Sequence, residues 1–289
     1  MQRGYESLRQ GLIGAWCPSS QPGGALLIDR SGYNAHPSLT GFSWAGVNNG
    51  AAINGNGTSA RASVGDLPRF RLTTTTITGW IGLAAQGAAA RCIFATYSQN
   101  TAVAGITLGI NIGTTSQNAL SVVIGKNTGT NGFGGDFGIW TTTINVCDSV
   151  LRSFACVITP TTAQFYVDGA AIATSLTFGV AVAAAYAAAN FVNIGAEQTA
   201  SASLGKYWPG ILDDVRVYNR ALTNAEIRLL ASRRSIGLVP QRQRRTSASS
   251  KRLYLQVGGT WKETVPYVNL GGTWKEASVY RNDGTGFKN

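Results

Sequence analysis

Short runs of alternating apolar and polar residues, separated by clusters of Gly, Asn, Ser and Thr, recur along the first 230 or so residues. That pattern predicts an antiparallel sheet protein with many tight turns. Strands are expected over 60–64, 75–83, 91–97, 106–112, 119–124, 152–159, 163–167, 191–194 and 211–218. Asp168-Gly169 between two such runs is a two-residue hairpin signal. In 211–218 strict alternation would set Asp213, Val215 and Val217 on one face and Leu212, Asp214, Arg216 and Tyr218 on the other. Adjacent carboxylates at Asp213 and Asp214 would then point to opposite sides. Thr223 followed by Glu226 forms a capping box and predicts a short amphipathic helix over 225–231.

The last 37 residues follow a different rule. Tyr254-Leu-Gln-Val-Gly-Gly-Thr-Trp-Lys-Glu recurs thirteen residues later as Tyr267-Val-Asn-Leu-Gly-Gly-Thr-Trp-Lys-Glu. A decayed third copy places Tyr280, Gly284, Phe287 and Lys288 at the matching positions. Each copy predicts strand, Gly-Gly turn, strand, with aromatic residues at both ends able to stack. Hairpins this small bury no core alone and need neighbours. Between the two regions, 233–252 reads as a polar basic link. The expected division is therefore 1–232, 233–252 and 253–289.

Charge sharpens this picture. Of the net +11, residues 1–232 contribute little, with 13 basic and 10 acidic side chains, whereas 233–252 carries seven basic residues and no acid. Any attraction for an acidic partner is thus expected in the link. It lacks interleaved aromatics, so an acidic protein surface is favoured over nucleic acid. The opening MQRGYESLRQ has no apolar core of signal-peptide length. Cys17, Cys92, Cys147 and Cys156 are therefore expected to stay reduced. No apolar run is long enough to predict a membrane span.

Three stretches carry a family resemblance. The run from Gly210 to Ile227, GILDDVRVYNRALTNAEI, resembles the closing segment of laminin-G-like domains of the concanavalin A-like jelly-roll superfamily. Gly11 to Trp16 with Asp29-Arg-Ser-Gly-Tyr-Asn-Ala-His36 is similar to its opening strand and D-x-S-G-x-x-x-H loop, and Phe165-Tyr-Val-Asp-Gly169 to its late hairpin. The implied fold class is all-β: a concanavalin A-like jelly-roll sandwich with one short C-terminal helix, then a hairpin-repeat tail. The tail resembles the G-G-T-W-K repeats that end structural proteins of tailed bacteriophages. Together these imply a non-enzymatic virion protein, a head decoration, fibre, tail or baseplate component, displaying a lectin-like module for host-surface glycans. Its partners would be other virion proteins and further copies of itself, reached through Arg242, Arg244, Arg245, Tyr254, Trp261, Tyr267, Trp274, Tyr280 and Phe287. A free carbohydrate-binding module or a glycan hydrolase of the same fold is the alternative.

Candidate chemistry is sparse. A glycosidase needs two carboxylates across one cleft, and no alternating acidic pair exists among only thirteen carboxylates. The single histidine, His36, is expected to make a structural hydrogen bond. Zinc spacing is absent, and the glycine clusters lack the context of a phosphate loop. The resemblance implies a structural calcium, with Asp29, Asp213 and Asp214 as candidate ligands. Otherwise Asp29 caps its turn while Asp213 or Asp214 pairs with Arg216 or Arg30. For glycan contact the candidates are Trp140, Tyr97, Tyr207 and Trp208, with Trp16 and Trp80 expected in the core.

Overall fold

The computed structural model describes residues 6–21, 23–48, 50–96, 104–113, 118–126, 136–186, 191–200 and 203–238, and the backbone of 253–257, 260–264, 267–270, 273–276, 281–282 and 287–288. It divides into two compact units, Met1–Val239 and Pro240–Asn289.

The first unit is a sandwich of two antiparallel sheets. One contains β1 (Leu12–Trp16), β3 (Phe42–Val47), β4 (Gly50–Gly55), β6 (Thr75–Gly82), β11 (Arg152–Ile158), β12 (Ala163–Val167), β13 (Ala170–Ile172) and β18 (Ile211–Tyr218). Their order is β13-β12-β11-β6-β18-β4-β3, with β1 also paired to β18. The other contains β2 (Leu39–Thr40), β5 (Arg61–Asp66), β7 (Arg91–Ala95), β8 (Ala104–Ile110), β9 (Leu120–Lys126), β10 (Phe137–Thr142), β14 (Thr174–Gly179) and β15 (Phe191–Ile194), ordered β14-β10-β9-β8-β7-β15-β5-β2. A small hairpin, β16 (Glu197–Ala200) and β17 (Ser203–Gly205), follows β15.

Alternation builds the core as expected. Ile77 and Ile81 of β6, Phe154, Cys156 and Ile158 of β11, and Ile106, Leu108 and Ile110 of β8 meet between the sheets, with Trp16 and Trp208 fully buried among them. Trp80 is only half-buried and lies outside that cluster. A second cluster lies beneath helix α1 (Asn224–Ser232), where Ile227 and Leu230 pack on Ala155, Tyr166 and Tyr218 together with Leu8 and Leu12. The predicted capping box is present, Thr223 accepting from the Glu226 amide while the Glu226 side chain accepts from the Thr223 amide. Asp168 (φ 48°) and Gly169 (φ 79°) form the predicted tight turn joining β12 to β13.

Strict alternation fails in β18. Asp214 adopts φ 50°, and the register against β6 steps from Asp213↔Trp80 to Arg216↔Thr78. Two residues of β18 thus face one of β6, which is a β-bulge. Leu212 consequently joins Val215 and Val217 in the inter-sheet core, correcting the sequence expectation for that residue. A second correction concerns 233–238. These residues belong to the sandwich rather than to a linker: Ile236 and Leu238 are buried in the cluster beneath α1.

The described residues of the second unit form three hairpins, β19–β20 (Leu253–Val257, Thr260–Thr264), β21–β22 (Tyr267–Leu270, Thr273–Glu276) and β23–β24 (Arg281–Asn282, Phe287–Lys288). Gln256↔Trp261, Asn269↔Trp274 and Asn282↔Phe287 are the same register position at a thirteen-residue period. The basic residues Arg242, Arg244 and Arg245, and Tyr280, lie outside the described residues.

Candidate functional site

Among the described residues, the bulge in β18 gathers four buried charged side chains, Asp213, Asp214, Arg216 and Arg234. Asp213 and Asp214 do not point to opposite faces. Both turn to the outer side of their sheet, where each takes a buried arginine. Arg216 is fully buried and grips Asp214 with two bonds of 2.7 and 2.8 Å, donating a third, of 2.7 Å, to the Ile236 carbonyl. Arg234 pairs with Asp213 at 3.0 Å and also donates to the Asn48 carbonyl. The Ser19 amide donates to Asp213, while the Ser235 amide and the Cys17 thiol donate to Asp214. Burial works against the charge of Arg216, but the Asp214 carboxylate more than offsets it and holds the guanidinium protonated. Asp213 is pushed up to about 6, first by burial and then by Asp214. The network ties 234–236 to the last strand, so it acts as a latch on the segment that leads toward the repeats.

Asp29 does separate work. Its Oδ1 accepts from the amides of Ala15 and Ser31 and its Oδ2 from that of Ala35, which folds the loop 29–36 onto β1. His36 Nδ1 accepts from the Asp29 amide, the structural bond expected of it. These three aspartates do not fit the calcium site the family resemblance implied. Their oxygens are taken by amides and guanidinium groups, and among the described residues no cluster of three or more His, Cys, Asp or Glu could hold a metal. The cysteines are free and buried, their thiols raised chiefly by burial, Cys147 to about 11.

The aromatic set proposed for glycans is not brought together. Trp208 is fully buried, its indole donating to the Ile211 carbonyl, and is corrected to a core residue. Trp140 is half-buried against the inter-sheet core from β10. Tyr207 lies beside β7, its carbonyl accepting from Arg91 and its hydroxyl donating to Leu204. Three strand spacings separate β10 from β7, about 14 Å. Tyr97 lies outside the described residues.

The structure offers instead an open cleft of about 500 Å3 where β4, β6 and β18 meet the β3–β4 turn. It is lined by Asn48, Asn54, Ser149, Leu151, Pro209 and Ile211, with the backbone of Gly82 and Gly210 beneath. The lining is neutral. The bland residues of this cleft carry no sequence signal, because exposed asparagines in Gly-rich segments match ordinary turns. Arg234, by contrast, had one: two adjacent acids in a buried strand demand more positive charge than Arg216 alone supplies.

The family profile of the Concanavalin A-like lectin/glucanases superfamily, laminin-G-like branch, matches residues 55–228, more than half of the chain. The chain belongs to that superfamily. No curated protein matches it. Among solved structures, this concanavalin A-like sandwich is similar to the binding domain of Paraclostridial Mosquitocidal Protein 1 (TM-score 0.55, 13% identity, 78% of this chain and 52% of that one). It is also similar to domain 4 of AbnA, a GH43 extracellular arabinanase from Geobacillus stearothermophilus, in complex with arabinotriose (TM-score 0.51, 15% identity, 76% and 98%). Trypanosoma rangeli sialidase in complex with sialic acid is a third (TM-score 0.52, 15% identity, 76% and 32%). The chain thus spans about half of the mosquitocidal binding domain and a third of the sialidase. At these identities the likeness is one of fold.

Proposed function

We propose that the protein is a non-enzymatic adhesion component of a tailed-phage particle, whose concanavalin A-like sandwich takes a neutral saccharide from a host surface while the repeat hairpins fasten it to the particle. The lining of the 500 Å3 cleft carries the first half of this reading. The side-chain amides of Asn48 and Asn54 and the hydroxyl of Ser149 suit sugar hydroxyls, and Leu151, Pro209 and Ile211 suit the C–H face of a ring. Among the described residues no carboxylate lines it, whereas glycoside hydrolysis needs two. The half concerning the tail is supported by three hairpins in one repeated register and by the resemblance of their sequence to phage repeats.

The test is binding of the full chain to a panel of bacterial surface polysaccharides, beside Asn54→Ala and a chain ending at Val239. A neutral saccharide should bind the full chain and the shortened chain equally, and Asn54→Ala should weaken it by about tenfold, the value of one or two lost hydrogen bonds. Only the full chain should bind purified particles. Release of reducing sugar, or affinity unaltered by Asn54→Ala, would defeat the reading of the cleft. Particle binding by the shortened chain would defeat that of the tail.

A further inference from the structure

We infer that a second cleft on the sandwich, between the β12–β13 turn and helix α1, binds the carboxylate of an acidic sugar such as a hexuronate. The choice of a sugar rests on the saccharide-binding role proposed above, and the choice of a carboxylate rests on the cleft itself. This cleft is open and holds about 430 Å3. Gly169, Ala170 and Ala171 give it a small-residue lining, and its functional groups come from Tyr166, Asp168, Asn224 and Arg228.

Those groups are donors left without acceptors. Asn224 and Arg228 lie one turn apart on α1, so their side chains are neighbours. Arg152, Arg216, Arg220 and Arg234 each hold a carboxylate. Arg228 is exposed, and among the described residues no ion pair or hydrogen bond engages its guanidinium. The Tyr166 hydroxyl donates to Asn224 Oδ1 at 2.8 Å, which occupies the amide oxygen and leaves the amide N–H groups to donate. Asp168 is the acid of the lining, and both its oxygens are engaged, Oδ1 by the Ser153 amide at 2.9 Å and Oδ2 by Arg152 at 3.0 Å. The walls are also held together before any ligand arrives. Gly169, at φ 79°, lies so close to the helix that a β-carbon there would stand 3.1 Å from Arg228 Cα and 3.3 Å from its Cγ.

A donor-only cleft with one unspent positive charge calls for an acceptor with about one negative charge. A carboxylate meets both needs and takes two parallel bonds from one guanidinium. A phosphate monoester brings about −1.5 to −2 at pH 7, more than one arginine beside Asp168 balances. A peptide ending in a carboxylate would also present a side chain, and no large aliphatic residue lines the cleft to receive one. Three consecutive small residues instead leave flat ground for a pyranose ring.

The experiment is an NMR titration of the full chain, following the amides of 169–171 and 224–228, with methyl glucuronide, its methyl ester, methyl glucoside and acetate as probes. It is repeated on Arg228→Gln and Asn54→Ala. Methyl glucuronide should shift these amides, and the ester, the glucoside and acetate should each bind at least about tenfold more weakly, as the loss of a charge-assisted bond or of the ring contacts requires. Arg228→Gln should lose the same factor with an unchanged melting temperature, and Asn54→Ala should lose nothing. Equal binding of the ester, or indifference to Arg228→Gln, overturns the carboxylate assignment. Equal binding of acetate overturns the sugar, and weakening by Asn54→Ala overturns the claim of a second site. A chain that takes neutral saccharides but not methyl glucuronide overturns this inference alone. One that takes methyl glucuronide through Arg228 but no neutral saccharide upholds it and overturns only the reading of the first cleft.

Discussion

Replacing Arg216 by Met tests the buried network most directly. Arg216 is fully buried, and its partner Asp214 is 3% exposed. The substitution removes two charge-assisted bonds to Asp214 and one to the Ile236 carbonyl. The Cys17 thiol and the Ser235 amide are then the donors left to a carboxylate cut off from water. Breaking a buried pair by deleting one partner costs about 3–5 kcal/mol, because the surviving charge is uncompensated. In a unit of this size each kcal/mol lowers the melting temperature by about 2–4 °C, so a fall of about 6–20 °C is expected by calorimetry. Asp214→Asn in the same chain removes the orphaned charge and keeps a side chain that tolerates the left-handed backbone. The double variant should therefore recover at least half of the loss. If Arg216→Met costs less than about 1 kcal/mol, or if the two losses simply add, the carboxylate is not isolated and the latch is not an ion-pair device.

Two carboxylates make opposite pH contributions. Asp213, raised to about 6 by burial and by Asp214, binds its proton more tightly in the folded chain than in the unfolded one. Its contribution is fully present below about 4 and lost as pH rises through 6, with a slope up to about 1.4 kcal/mol per pH unit. Asp213→Asn should abolish that slope in denaturant melts at pH 5, 6 and 7, and an unchanged slope would refute the assignment. Glu226 is held down at about 2, first by Arg220 and further by the Thr223 amide and hydroxyl. Its stabilisation is present above about 4.5 and lost as pH falls toward 2, so Glu226→Gln should melt earlier at pH 7 yet match the parent at pH 2. Thr223→Ala should cost about 1 kcal/mol through the helix cap, read from the same melts. The four thiols are buried and raised. Disulfide-exchange reagents at pH 8 should therefore modify them only at the rate of unfolding, and burst labelling of any one would contradict its burial.

How much of this could be read from residues alone depends on whether the determinant is local. The cap at Thr223, the Asp168-Gly169 turn, the alternation in β6 and β11, and the hairpin period of the tail are each fixed by neighbours within a few positions, and each is where the sequence places it. The β3–β4 hairpin was missed because FSWAGVNNGAAING holds turn formers throughout, and long-range pairing with β18 makes it strand. The β-bulge at Asp214 was missed because nothing in ILDDVRVY announces a left-handed residue. Only packing, which needs Leu212 and Val215 on one face, demands it.

The error at the domain boundary has the same origin and a more general lesson. Residues 233–252 look uniform because seven cations share one polar run, yet of the two that the structure describes Arg233 is exposed and Arg234 buried. Arg234 sits 8% exposed against a buried aspartate. A composition window averages over such differences, whereas charge balance does not. Asp213 and Asp214 occupy a strand whose paired neighbours carry no charge, and Arg216 neutralises only one of them. A second cation was required, and the segment just past helix α1 supplies it. Arg234 must therefore be kept with the sandwich in any dissection of the chain. Cutting at Ser232 would strip Asp213 of its partner and report a loss of stability that has nothing to do with the repeats.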